Sequence, residues 1–156
     1  MGTYEKRKES IIIFCVFMLI YAVIGLGIVY YNGNIANMFF GADNARAFGD
    51  FSSIGYNHYR VKVHPLLLMM TQPITLVVKS FLHNASLSVF FLEILCGSGS
   101  VGILYFLLRE LEIDRRNAIL WTILYGFSFS NLIFVSVPET FIVCCFFQIL
   151  FLTLLP

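Results

Sequence analysis

No charged residue falls between Ile11 and Tyr31, a run about as long as a helix that crosses a bilayer. A signal peptide has a shorter apolar core, roughly 7–15 residues, ahead of a small-residue cleavage site. This run is longer and closes on the interfacial pair Tyr30-Tyr31, so it reads as a retained anchor. The basic head Lys6-Arg7-Lys8 assigns its first end to the cytoplasm. Further apolar stretches follow at Leu66–Leu82, Ser86–Leu108, Ile119–Val137 and Thr140–Pro156. Only 12% of the chain is charged and 59% is hydrophobic, with mean hydropathy +0.85. Soluble domains carry about 25% charge. The expected fold is therefore all-α, a polytopic transmembrane helical bundle forming one membrane domain over residues 1–156.

The expected spans are about 11–31, 86–108, 119–137 and 140–156, with a loop at 32–64 carrying short interfacial helices. The segment 65–82 holds Pro73 at its centre, with Thr71, Gln72 and Lys79 around it, and reads as interfacial or re-entrant. That choice leaves Arg109, Arg115 and Arg116 in the cytoplasm, as basic loops prefer. It sends Asp43 and Glu139 to the outer or lumenal side. A net charge of +1 and the lack of a large basic patch argue against nucleic acid as a partner. Cys15, Cys96, Cys144 and Cys145 all lie in apolar runs with no disulfide or metal spacing, and read as small core residues. Asn84-Ala85-Ser86 is a glycosylation triplet too close to the bilayer to weigh.

The polar interval from Gly41 to Pro65 concentrates the ionisable side chains: Asp43, Arg46, Asp50, His58, Arg60, Lys62 and His64. On a helix, Asp43, Arg46 and Asp50 stand at i, i+3 and i+7 and share one face. Phe39, Phe40, Phe48 and Phe51 would hold such a helix against the membrane surface, with the carboxylates offered to a lipid-linked substrate. The competing reading is an ordinary solvated loop. Glu93 is the one acid inside the run 86–108, and a buried acid in a span is costly. It is expected to hydrogen-bond a Ser or Tyr of a neighbouring helix or to stay protonated.

Three local patterns recur in order: Asp43-Asn44-Ala45-Arg46 after the first span, Lys62-Val63-His64-Pro65-Leu66, and Pro138-Glu139 at the start of a later one. Together they resemble the N-terminal part of the GT-C superfamily of polytopic glycosyltransferases, nearest the protein O-mannosyltransferase and aminoarabinose-transferase branch. The resemblance implies transfer of a sugar from a polyprenyl-phosphate carrier to an acceptor on the outer or lumenal side. It assigns catalytic roles to Asp43 and Glu139. Arg46, Asp50, Arg60, Lys62 and His64 become substrate-binding candidates. Many relatives carry two adjacent acids in the first loop, whereas this chain has Asn44 after Asp43.

A carboxylate suits the removal of a proton from the acceptor. An arginine suits the departing lipid phosphate. Asp43 with Asp50 or Glu139 would offer hard oxygen ligands to a divalent cation, and no other cofactor is implied. His64 before Pro65 serves either as a helix cap or as a substrate contact. Expected partners are membrane lipids, the lipid-linked donor, and a partner membrane subunit or further downstream sequence that completes the cavity. The small-residue patch from Gly97 to Gly102 is expected to pack against that partner, and the chain alone is expected to be inactive. The alternative is a non-catalytic helical membrane protein, a subunit or transporter fragment.

Overall fold

The computed structural model describes residues 3–32, 44–54 and 65–155. Among them every regular element is a helix: α1 (Thr3–Asn32), α2 (Asn44–Ser52), α3 (Pro65–Leu82), α4 (Ala85–Glu110), α5 (Arg115–Gly126), α6 (Phe129–Phe134) and α7 (Thr140–Leu154). Two stretches, Thr3–Gly27 and Ala85–Glu110, are long and apolar enough to cross a membrane. Leu66–Leu82 and Thr140–Leu154 are shorter apolar helices.

Helix α4 is the axis of the molecule, and its small residues explain why. Gly97, Ser98, Gly99, Ser100 and Gly102 are all buried, because neighbouring helices come close enough to fill the space a side chain would take. A Cβ on Gly97 would strike Val135 beyond α6. One on Gly99 would stand 2.7 Å from the Phe146 ring on α7. One on Gly102 would stand 3.0 Å from Phe14 Cβ and 3.2 Å from the Ser10 carbonyl on α1. The patch expected to meet a partner is therefore filled from within the chain.

These contacts fix the helix directions. Ser10 Oγ donates to the Gly102 carbonyl at 2.8 Å, and Gly25 faces Phe90, so α1 runs antiparallel to α4. Gly97 faces Ile142 and Gly99 faces Phe146, so α7 runs parallel to α4. Tyr125 on α5 donates to Ser100 Oγ at 3.2 Å, and Tyr21 on α1 donates to the Gly126 carbonyl at 2.7 Å. Helix α5 thus rises beside α1. Asn84 caps α4, its side chain accepting from Leu87 N–H, and with His83 forms the short connection to α3.

The expected span over 119–137 is not one helix. It divides into α5 and α6 at Phe127-Ser128. Ser128 caps α6 by accepting from Asn131 N–H, and Asn131 Nδ2 turns back to the Tyr125 carbonyl at 2.7 Å. Capping side chains give the backbone an alternative to a continuous ladder, and hydropathy alone does not register it. By contrast, Pro73 lies within α3 without ending it.

The first turns of α1, the end of α4 and the start of α5 meet at one end of the bundle. Lys6 Nζ lies 3.2 Å from Glu110 Oε1, and Arg115 Nε lies 2.8 Å from Glu9 Oε1. Tyr105 donates its hydroxyl proton to Glu9 Oε2. Asp114 caps α5, accepting from the backbone and side chain of Asn117 at 3.1 and 2.6 Å. Those two hydrogen bonds hold the Asp114 carboxyl below its ordinary value.

Glu9 precedes the apolar run, and the Tyr105 hydroxyl, then Arg115, hold its carboxyl below the usual 4.5. A depressed carboxyl contributes stability above its unfolded value and loses it as pH falls through the folded value. Acidification from pH 6 to pH 3 should therefore lower the amide protection factors, taken against the free peptide's exchange rate at the same pH, in the first turns of α1 and in residues 111–114. Glu9→Gln should show low protection factors at both pH values. Protection in the wild type that does not change with pH would show that this cluster does not hold the end together.

Candidate functional site

The half of the bundle away from the basic end gathers buried acids. Glu139 precedes α7 in an extended conformation, φ −154° and ψ 154°, and its side chain accepts from Thr140 N–H at 3.3 Å. A carboxylate at a helix N-terminus satisfies an orphan donor and the positive end of the dipole. Glu139 is itself 4% exposed. Its backbone N–H donates to Glu93 Oε1 at 3.3 Å across the α4–α7 contact. Glu93 is fully buried, and its second oxygen, Oε2, has no hydrogen-bond partner. Cys96 stands one turn further along α4, also buried. Glu93 is 17 positions before Glu110, which places it about 25 Å along the axis from the basic end.

Helix α2 brings the third acid. It is anchored by a stripe on α3 at i, i+3 and i+7. Gln72 Nε2 donates to the carbonyls of Asp50 and Ser53, each at 3.1 Å. Thr75 donates to the Phe51 carbonyl, and Lys79 Nζ to the Ser52 carbonyl at 3.1 Å. These side chains satisfy the carbonyls that a helix C-terminus leaves open, with Lys79 also complementing the dipole. Gln72 and Lys79, which made the segment look unlike a span, therefore share with Thr75 a specific structural task. They bind α2 to the half of α3 that leads into α4.

Two expectations about α2 need correction. Ala47, Asp50 and Phe51 lie at i, i+3 and i+4, and all three are buried, at 0%, 2% and 0% exposed. Asp50 is therefore turned into the bundle and does not stand on an outward polar stripe. Phe51 belongs to the same core as Val89 and Leu92, not to a membrane surface. Arg46 is half-buried on α2.

Asp43, Arg60, Lys62 and His64 lie outside the described residues, as does His58. Among the described residues, no three His, Cys, Asp or Glu side chains cluster to hold a metal ion. A cation site built with Asp43 falls outside them. Sequence reasoning flagged Glu93 and expected either a Ser or Tyr partner or a protonated acid; the first of these is corrected. The partner is a main-chain N–H, supplied by the residue after Pro138.

Chemically, the arrangement places a carboxylate at the start of α7, held by α4, beside an acid with hydrogen-bonding capacity to spare. A base or a hydrogen-bond acceptor for a polar ligand is within its repertoire. Comparison of the chain with protein-family models, characterised proteins and solved structures finds no match.

Proposed function

We propose that this chain is a GT-C-type membrane glycosyltransferase or the N-terminal part of one, binding a polyprenyl-phosphate sugar at the end of the bundle that holds Asp50, Glu93 and Glu139. The observation that carries the reading is the Glu139–Glu93 contact. The buried Glu139 donates its backbone N–H to the fully buried Glu93 across helices, and an acid held inside a membrane bundle is costly and tends to serve function. The Pro138-Glu139 step of the family pattern lies at that contact. The membrane part of the proposal rests on the exterior. Leu19, Val23 and Leu26 on α1, Met69, Val77 and Phe81 on α3, and Leu120, Trp121 and Leu124 on α5 are all exposed. Apolar faces of that extent on several helices suit lipid better than water. Asp43 and Glu139 act as the acidic groups in this reading, with Arg46, Asp50, Arg60, Lys62 and His64 toward the donor phosphate and sugar. The alternative, a non-catalytic membrane protein, draws on the structural tasks that Glu93 and Glu139 already perform.

The topology that follows has the N-terminus and Arg115-Arg116 in the cytoplasm, with Asp43 and Glu139 on the outer or lumenal side. Single cysteines placed at positions 114 and 54 test it with an impermeant reagent. Position 54 should label from outside, and labelling of position 114 alone would sink the topology.

Donor binding tests the function. A polyprenyl-phosphate sugar should protect the purified chain against thermal unfolding, while free polyprenol should not. Glu139→Gln should weaken that protection about tenfold in apparent affinity, the cost of a charge-assisted hydrogen bond of roughly 1.4 kcal/mol or more. Equal protection by donor and polyprenol would favour the non-catalytic reading.

A further inference from the structure

Helices α1 and α5 both pack on α4, side by side, and meet each other at two levels. At the basic end Glu9 meets Arg115, and lower down Phe17 and Tyr21 meet Gly126 and Phe127. Between these levels lies a groove of about 240 Å³, with Tyr105 of α4 contributing to its walls. Its walls follow from two stripes in the sequence. Glu9, Ile12, Ile13, Val16 and Phe17 repeat at i, i+3, i+4, i+7 and i+8 on α1, while Arg115, Ile119, Thr122 and Ile123 repeat at i, i+4, i+7 and i+8 on α5.

Three properties identify the occupant. The groove is larger than the cavity of about 150 Å³ that accepts benzene in an apolar core, so it holds a run of methylenes. Ile12, Val16 and Ile123 line it and are also exposed on the outer surface, so it opens toward the surroundings of the bundle. At its mouth stands Arg115, its side chain 64% exposed, beside the exposed Arg116. Glu9 shares that mouth, but it accepts from Arg115 Nε and the Tyr105 hydroxyl. The terminal nitrogens of the guanidinium are the fork that matches a phosphate.

The second, independent observation is Thr122. It lines the groove, is 1% exposed, and its hydroxyl has no hydrogen-bond partner. A buried hydroxyl left unpaired costs about 1–3 kcal/mol, and a purely hydrocarbon occupant would leave it so. Thr122 lies seven positions after Arg115, about 10 Å along the helix. An arginine–phosphate contact followed by a glycerol linkage covers that span and delivers an ester carbonyl to the hydroxyl.

We propose that the α1–α5 groove binds one anionic phospholipid, with its phosphate on Arg115, an ester carbonyl at Thr122 and an acyl chain along Ile12, Val16, Ile119 and Ile123. The site is at the opposite end of the bundle from the acids and is independent of donor binding. It rests on the membrane reading alone.

Alkaline extraction of membranes tests that reading first: a chain that washes off is not embedded, whatever it binds. The detergent-purified full chain is then probed by native mass spectrometry with phosphatidylglycerol and phosphatidylcholine. The wild type should retain one phosphatidylglycerol with about fivefold preference, the factor given by roughly 1 kcal/mol per basic residue near a lipid surface. Ile119→Trp and Val16→Trp, which fill the groove from either wall, should each lose the bound lipid. Leu120→Trp, on the exposed face of α5, should keep it, and Arg115→Gln should lose the headgroup preference. Equal retention of both lipids by the wild type would overturn the proposal, and so would undiminished phosphatidylglycerol on both groove-filling variants.

Discussion

Gly102→Leu should lower the unfolding free energy by about 3 kcal/mol or more, at the upper end of the usual penalty for overpacking. The reason is the kind of atom that stands in the way. A Cβ at Gly102 meets the Ser10 carbonyl oxygen at 3.2 Å and Phe14 Cβ at 3.0 Å. Neither is the far end of a flexible side chain, so the backbone of α1 must move away from α4. That movement also breaks the Ser10–Gly102 hydrogen bond, adding about 1 kcal/mol. It further pulls Glu9 and Lys6 out of register with Tyr105, Arg115 and Glu110 at the same end. Gly27→Leu provides the comparison, because a Cβ there meets nothing within 4 Å. It should be neutral or stabilising by a few tenths of a kcal/mol, since glycine is a poor helix former. Denaturation of both variants in the same detergent measures the difference. Equal losses at the two positions would mean that helix propensity, not the α1–α4 approach, sets the effect.

What the sequence reveals here is the period and length of apolar runs, and what it hides is which run meets which. Ile11–Tyr31 lies within α1 and Ser86–Leu108 within α4, where Ser98 and Ser100 donate to carbonyls of their own helix and leave the ladder unbroken. The break at Phe127-Ser128 was also written locally, in Ser128 and Asn131, but as a capping signal inside a stretch that hydropathy reads as continuous. The helical face shared by Arg46 and Asp50 was legible, since α2 is a helix. Its direction was not, because Ala47 and Phe51 flank Asp50 on an apolar face, and only the docking surface on α3 and α4 decides which face turns inward. Glu139 beside Pro138 was a visible candidate. Its pairing with Glu93 depends on α7 lying parallel to α4, a long-range relation between positions 46 residues apart that no local pattern encodes.

The Glu93–Glu139 pairing supports a second contrast in stability. Glu93→Ala should cost about 3 kcal/mol, combining a cavity in a fully buried position with an orphaned Glu139 N–H. Glu93→Gln should cost less than about 1 kcal/mol, because its amide oxygen can still accept that N–H while its NH2 takes the place of the unpartnered Oε2. The comparison separates two roles that one acid can play. If Glu93 acts only as the acceptor that fixes the start of α7, the glutamine variant will keep both stability and donor protection, and alanine will lose both together. If its charge or proton also matters to the ligand, the glutamine variant will keep its stability and lose donor protection, as Glu139→Gln is expected to do. Thermal unfolding with and without the polyprenyl-phosphate sugar reads both quantities from one experiment. A glutamine variant as unstable as the alanine variant would refute the hydrogen-bond account, because then the N–H acceptor would not be what stabilises the α4–α7 contact.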